Sequence, residues 1–270
     1  MIVFCHIPRT AGSSFQFILE NSLGVFACHT SHTKRPVFTQ RDLDFARKMF
    51  PGLRSIAGHN LIDPLSLSVP NPFHMTFLRE PVARVFSQYQ GSVLRGNRRT
   101  FEEELRRSED LENLHVKLMT GGRDLAKAKR YLEACGFVGL TEKFELSVEV
   151  LERLSPYPLN LNYKRKNLVL DTRVRKSLEN DGRLVEMARE YNKLDLELYA
   201  FAVNEIFPKL CAKAGLDPAD KVAAHDLYTN EIKWKYLLNH FYNMSFYRQV
   251  CKLRNKYFPP AIAAADGAAK

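Results

Sequence analysis

The residues best suited to chemistry lie at the start of the chain, where cationic and hydroxyl side chains follow a short apolar run. The run, residues 2–5, predicts a buried strand, and the apolar residues after position 12 recur at helical spacing. A loop between a strand and a helix presents backbone amides and the positive end of the helix dipole to an anion. We therefore expect a phosphate or sulfate site built from Arg9, Thr10, Ala11, Gly12, Ser13 and Ser14.

This loop differs from the common phosphate loop, GxxxxGK[ST], in which lysine directly precedes the hydroxyl that holds magnesium. Gly12 is its one glycine, Ser13 stands where that lysine would be, and the cation has moved upstream to Arg9. The pattern therefore argues against a nucleoside-triphosphate kinase. The alternative interpretation is a strand-to-helix turn that carries polar residues without binding an anion.

A second strand, loop and helix follow at residues 73–89. Residues 73–78 predict a buried strand, and Pro81 suits the first turn of a helix. Arg79 lies at the strand end and Ser87 about two turns into the helix, so we expect both to contact one phosphate. The alternative is a surface arginine and a helical serine without a ligand.

Together, the segments 6–15 and 77–89 resemble the two nucleotide-binding elements of sulfotransferases that use 3′-phosphoadenosine 5′-phosphosulfate (PAPS). The resemblance is to the carbohydrate branch, which includes heparan sulfate 2-O-sulfotransferase, and it extends over roughly residues 1–210. It implies that the first loop holds the 5′-phosphosulfate and that Arg79 and Ser87 hold the 3′-phosphate. Residues 137–142 and 191–199 also look like this family.

One position departs from the family pattern. The family usually has lysine where this chain has Arg9, and that lysine is credited with stabilising the bridging oxygen as the sulfuryl group leaves. Arginine keeps the charge and offers a planar fork of donors, but it does not donate a proton. We expect Arg9 to take this catalytic role.

Transfer to a hydroxyl requires a base, and histidine titrates in the suitable range. His59 follows a short predicted strand, residues 55–58, and the Gly-His pair resembles the catalytic position of the heparan sulfate 2-O branch. We therefore expect His59 to be the general base; the alternative is a loop histidine that only forms hydrogen bonds. His29 and His32 lie in a polar stretch that could line the acceptor site.

Two basic segments are further candidates. Lys164, Arg165 and Lys166 resemble the family's late basic loop over the 3′-phosphoadenosine group. A second group of cations, expected to contact an acidic acceptor, consists of Arg95, Arg98 and Arg99. For both segments the alternative is a solvated charged surface.

The composition indicates which classes of partner the protein binds. The formal net charge is +10, which favours anionic ligands such as PAPS and acidic glycans. The sequence contains no interleaved aromatic and basic recognition motif, so we expect no nucleic-acid partner. The eight histidines and five cysteines show no metal-ligand spacing, so we expect no metal. The scattered cysteines and the lack of a long apolar run or signal sequence predict a cytoplasmic protein resembling bacterial members of the family.

The order of elements predicts an α/β fold, a P-loop-like parallel sheet flanked by helices on both faces, with a C-terminal helical extension. We assign residues 1–215 to the sulfotransferase domain, 216–260 to a basic helical extension packed on it, and 261–270 to a flexible tail. Residues 230–258 form an amphipathic, basic pattern, and we expect this stripe to dock onto the chain's own domain or onto a second subunit. Contact with an anionic membrane surface is the alternative.

The sequence thus predicts a PAPS-dependent sulfotransferase that acts on a hydroxyl of an anionic or neutral glycan, a polysaccharide or glycolipid, and releases 3′-phosphoadenosine 5′-phosphate (PAP). The alternatives are a magnesium-dependent small-molecule kinase on a related fold and a non-catalytic relative that binds anionic glycans.

Overall fold

A five-stranded parallel sheet forms the centre of the protein, in the order β2-β3-β1-β4-β5. The computed structural model describes residues 1–161, 172–222 and 234–259. The strands are β1 (Ile2–Cys5), β2 (Ala27–His29), β3 (Ser55–Gly58), β4 (Phe73–Leu78) and β5 (Phe137–Leu140). The predicted α/β fold is confirmed.

Helices connect and cover the strands. In chain order they are α1 (Gly12–Leu23), α2 (Gln40–Met49), α3 (Pro81–Val93), α4 (Phe101–Arg107), α5 (Leu114–Thr120), α6 (Leu125–Ala134), α7 (Phe144–Leu154), α8 (Arg173–Glu179), α9 (Gly182–Tyr191), α10 (Lys193–Phe201), α11 (Phe207–Ala214), α12 (Trp234–Phe241) and α13 (Arg248–Tyr257). Single π-helical segments, residues 202–206 and 242–247, join α10 to α11 and α12 to α13.

Both faces of the sheet are buried, which explains the continuous apolar run in β1. Ile2 and Phe4 belong to one core cluster, which includes α1, α6 and α7, whereas Val3 belongs to another, which includes residues of α2 and α13. Alternate residues of a strand point to opposite faces, so a strand covered on both sides must be apolar throughout. The predicted helical layers on both faces are thereby confirmed.

Local capping groups define the ends of several helices. A capping box between Thr100 and Glu103 begins α4, and the Asp124 carboxylate accepts the Lys127 amide at the start of α6. At the end of α11, Gly215 adopts a left-handed conformation (φ 69°), as expected of a glycine that ends a helix.

The C-terminal helices contact the rest of the protein through one face. Tyr247 is buried beside Phe50, with ring centroids 4.8 Å apart, and Tyr236 packs on Phe17 at 4.9 Å. The division into segments 1–215 and 216–260 stays a prediction, and the tail 261–270 lies outside the described residues.

In the described ranges, no helix has the length and apolar character needed to cross a bilayer. All five cysteines are buried and free, so none forms a disulfide.

Candidate functional site

The first loop, His59 and Arg79 lie at the carboxyl edge of the sheet. Because all five strands are parallel, the segments that follow them leave the sheet at the same edge. β1 lies between β3 and β4, so the first loop has His59 on one side and Arg79 on the other. After β1 the chain forms β2 and β3 on one side of β1 and then crosses to form β4 on the other side. At such a reversal of strand order the loops on either side separate and leave a crevice, which is where α/β proteins bind ligands.

The first loop is held in a tight conformation that leaves backbone donors free. Arg9 and Ala11 have left-handed backbone conformations, with φ of 69° and 63°. The buried Thr10 hydroxyl donates to the Ile7 carbonyl at 2.9 Å, so this side chain stabilises the loop from inside. Ala11 begins α1 without a side-chain cap.

The amides at the start of α1 are suited to an anion. Ser14 and Phe15 donate their amides to the Ala11 carbonyl, at 3.1 and 3.3 Å. Across the described part of the chain, no hydrogen bond is donated by the Gly12 or Ser13 amide. Such unsatisfied amides at a helix start, together with the helix dipole, favour a bound anion.

Gly12 has a steric function that the sequence did not reveal. A Cβ atom at this position would lie 2.0 Å from Cδ2 of the His6 ring. The His6 ring is itself buried and stacks on Phe4, with centroids 5.3 Å apart. Glycine is therefore needed for close approach of His6 to α1, in addition to its place in the loop.

Arg79 links the two predicted binding segments directly. Its Nη1 donates to the Arg9 carbonyl at 3.2 Å, which joins the end of β4 to the first loop. Burial lowers the pKa of Arg79, and the nearby Glu142 carboxylate opposes that shift. The guanidinium remains cationic at neutral pH, since arginine titrates far above it. Ser87 lies partly buried on α3, the helix that follows Arg79.

Acidic residues shape the other side of Arg79. The Glu80 carboxylate caps α3 by accepting the amides of Val82 and Ala83, at 3.2 and 2.7 Å. Glu142 accepts the Glu80 amide at 3.0 Å and the Tyr199 hydroxyl at 2.7 Å. The amides at the N-terminus of α3 therefore already have an acceptor. An anion beside Arg79 would consequently bind on the side that faces the first loop.

Arg9 turns its side chain onto α3. Its Nε donates to Oε1 of Gln88 at 3.2 Å, and a Cβ atom at Gly91 would lie only 1.7 Å from its Nη2. Gly91 thus leaves the space that the Arg9 guanidinium occupies, one helical turn beyond Ser87. Sequence reasoning missed Gln88 and Gly91, although a glycine inside a helix is a signal of close approach because it weakens the helix.

His59 is anchored by the first loop on the opposite side. Its Nδ1 lies 2.8 Å from the His6 carbonyl, and a carbonyl only accepts, so Nδ1 carries the proton. The lone pair is therefore on Nε2. His59 is exposed at the surface, but the protein around its ring removes part of the solvent, and this desolvation lowers the pKa of His59. The hydrogen bond to the His6 carbonyl and the negative charge of Asp110 oppose this shift without reversing it. His59 is neutral at pH 7 and can accept a proton at Nε2.

The segment that carries His59 is fixed to the turn after β2. Thr30 donates its hydroxyl to Oδ1 of Asn60 at 2.5 Å, and the Asn60 amide donates back to the Thr30 carbonyl at 3.2 Å. A Cβ atom at Gly58 would lie 2.1 Å from Oγ1 of Thr30. The Gly-His pair therefore has a packing reason: glycine lets Thr30 approach β3, and this contact fixes the backbone beside His59.

His29 and His32 lie next to one another at the end of β2. Their ring centroids are 4.8 Å apart, and Nδ1 of His29 accepts the Ser31 amide at 3.2 Å. Burial and neighbouring positive groups lower the pKa of His29 to about 3 and that of His32 to about 4. Both rings are neutral at physiological pH, and the His29 ring lies close enough to His59 that protonation of one ring would disfavour protonation of the other.

A buried arginine lies behind the site. Arg84 is fully buried, and none of its three guanidinium nitrogens has a hydrogen-bond partner in the described ranges. Burial lowers its pKa to about 10, while the Asp195 carboxylate favours its charged form. Asp195 in turn accepts the amides of His115 and Val116, at 2.9 and 3.0 Å. Arg84 and Asp195 thus connect α3, α5 and α10 electrostatically. Sequence reasoning missed Arg84 because it lies among the apolar residues of α3.

The predicted acceptor arginines line one open cavity of about 670 Å³ at the end of α3. Arg95, Arg98 and Arg99 lie there with Glu103 and Glu104. The charge of Arg95 helps to lower the pKa of Arg9, after desolvation, so the cavity approaches the first loop. The basic candidates Lys164, Arg165 and Lys166 lie outside the described residues.

No cluster of three or more His, Cys, Asp or Glu suited to a metal ion is found within residues 1–161, 172–222 and 234–259.

Comparison with known proteins gives a limited result. No protein-family model and no curated protein matches the chain. Among solved structures, the crystal structure of a sulfotransferase from Alicyclobacillus acidocaldarius is similar over 72% of this chain and 95% of that chain, with 17% sequence identity and a TM-score of 0.41.

Proposed function

We propose that this protein is a sulfotransferase that uses PAPS as donor and transfers the sulfuryl group to a hydroxyl of a glycan. The proposal starts from the two sequence segments that resemble the donor-binding elements of that family. One observation carries it: the backbone of the first loop accepts hydrogen bonds from both flanking candidates, Arg79 at the Arg9 carbonyl and His59 at the His6 carbonyl. A cation, free backbone amides and a base are thereby gathered around a single loop.

The arrangement suits the donor's two charged groups. The free Gly12 and Ser13 amides favour the 5′-phosphosulfate, and Arg79 has further N–H donors for the 3′-phosphate. Ser87 and Arg9 belong to the same region because the Arg9 guanidinium lies on α3. PAPS, when bound, supplies an activated sulfuryl group whose leaving group is the 5′-phosphate of PAP.

The chain's own contribution to transfer is positioning and proton removal. The acceptor oxygen forms the new O–S bond while the bond between sulfur and the bridging oxygen breaks, and the hydroxyl proton passes to Nε2 of His59. Neutral His59 is suited to this because its Nδ1 proton is held by the His6 carbonyl. Arg9 supplies positive charge near the leaving oxygen.

The acceptor class proposed is an anionic glycan. Its support is the cavity beyond α3, which Arg95, Arg98 and Arg99 line. Arg95 lies close enough to Arg9 for its charge to lower the pKa of Arg9, and Arg99 pairs with Glu104 at 3.4 Å. Carboxylate or sulfate groups on a polysaccharide would form charge-assisted hydrogen bonds with such side chains.

A binding test separates this proposal from a kinase. We expect PAP to raise the melting temperature of the protein strongly, whereas ATP with magnesium has little effect, because a ligand stabilises the state that binds it. Transfer of ³⁵S from labelled PAPS to a panel of acidic and neutral glycans then tests the reaction. Stabilisation by ATP and magnesium but not by PAP would refute the proposal.

A further inference from the structure

The C-terminal helices expose an apolar face. Residues 234–257 form one continuous helix, interrupted only by a π-helical segment, and at 1.5 Å per residue it is about 35 Å long. Its large apolar side chains are 46–68% exposed at Trp234, Leu237, Leu238, Phe241, Phe246 and Leu253. Elsewhere in the described chain such exposure is scattered, at Val25, Val37, Leu65 and Leu94.

The orientation of this helix is fixed by its other face. The Tyr242 hydroxyl donates to the Met49 carbonyl, and Arg254 pairs with the buried Asp42 carboxylate at 2.7 Å. Asn255 donates to the Thr33 carbonyl at 2.6 Å. With these polar contacts and the buried Tyr247 on one side, the helix cannot turn its apolar face inward without losing them.

The charge on the helix distinguishes between occupants of the exposed face. Residues 234–258 contain five lysines and arginines and no aspartate or glutamate. Arg254 pairs with Asp42 on the anchored side, whereas Lys235, Lys252 and Lys256 are exposed. A symmetric contact between two copies would bring the same basic face against itself, and like charges would repel. An anionic bilayer surface offers both the apolar environment and the opposite charge.

We propose that the face formed by Trp234, Leu237, Leu238, Phe241, Phe246 and Leu253 binds the surface of an anionic phospholipid membrane, with Lys235, Lys252 and Lys256 contacting the headgroups. The helix lies in the plane of the interface, and its apolar side chains enter the boundary between headgroups and acyl chains. This inference is independent of the proposed catalytic function, because it uses none of the site residues.

The chain's single tryptophan provides a local probe. Trp234 lies on the proposed face, so its emission should shift to shorter wavelength with vesicles of phosphatidylcholine containing phosphatidylglycerol, and brominated lipids should quench it. Vesicles of phosphatidylcholine alone should give little change at the same lipid concentration. An identical response to both vesicle types would contradict the charge argument.

Variants test the two contributions separately. Replacing Lys252 and Lys256 with glutamate should weaken vesicle partitioning about 30-fold or more, since each cation near an anionic surface contributes about fivefold. Phe241→Ser should weaken it about tenfold or more by removing buried aromatic area. Leu65→Ser, at an exposed leucine outside this face, is the matched control and should bind like the unchanged protein.

Two results would overturn the proposal. One is an unchanged Trp234 spectrum with anionic vesicles. The other is a lipid-independent shift that grows with protein concentration and accompanies a dimer in light scattering, which would assign this face to a second copy of the chain.

Discussion

Replacing Arg79 with alanine should weaken PAP binding by about two orders of magnitude. One of the five guanidinium N–H donors is used at the Arg9 carbonyl, so others remain for a phosphate. Two charge-assisted hydrogen bonds at the lower value of about 1.5 kcal/mol each give about 3 kcal/mol. This corresponds to an increase of about 150-fold in Kd.

The assay must separate phosphate recognition from support of the first loop. Isothermal titration of PAP and of adenosine 5′-monophosphate, which lacks the 3′-phosphate, with both the unchanged protein and Arg79→Ala makes that separation. Loss of the Arg9 contact should affect both ligands alike, whereas loss of a 3′-phosphate contact should affect PAP alone. We expect the full difference in PAP and almost none in the monophosphate.

Arg153→Ala is a matched control. Arg153 also donates from Nη1 to a backbone carbonyl, that of Ala214, at 3.0 Å, but it lies away from the site. Its replacement should leave both affinities unchanged. Equal weakening of PAP and the monophosphate by Arg79→Ala, or no weakening of either, would refute the assignment of Arg79 to the 3′-phosphate.

Four other substitutions test the remaining residues. His59→Ala should lower turnover about a hundredfold or more with little change in PAP affinity; it should also remove the rise of turnover with pH, which the lowered pKa of His59 places below about pH 6.5. Equal turnover and the same pH profile in the variant would exclude His59 as the base. Arg9→Lys should retain activity, whereas Gly91→Ala should displace the Arg9 guanidinium and reduce turnover; Gly182→Ala, where an added Cβ meets nothing within 4 Å, is the control and should be active. Burial holds the pKa of His29 near 3 and also lowers the pKa of His6 and of His32, so the unfolded chain binds more protons below about pH 6.5 and stability should fall as pH decreases from 6.5. Urea unfolding from pH 7.5 to 5 measures this, and His29→Asn should reduce the slope by the contribution of one histidine.

The sequence predicted the elements that build the site, because these depend on local patterns. Apolar runs of strand length and the helical spacing after Pro81 gave β1, β4 and α3. Parallel strands then bring their carboxyl ends to one edge, so the shared location of Arg9, His59 and Arg79 followed from strand prediction and topology.

Contacts between distant residues were decided by the tertiary structure alone. The direction of the Arg9 side chain depends on Gln88 and Gly91, some 80 positions away, and a local pattern contains no information about that approach. The buried Arg84 beside Asp195 is of the same kind, since its environment comes from helices far apart in sequence.

The C-terminal helix shows the same distinction. Its sequence alone determined an amphipathic, basic helix, because apolar periodicity and charge are properties of residues 230–258 themselves. Which face is covered was decided by the fold: Tyr247 and Arg254 find partners in Phe50 and Asp42, and the opposite apolar face is left exposed. Burial depends on what the rest of the chain places nearby, so the amphipathic pattern required the tertiary structure before it could indicate a surface for binding.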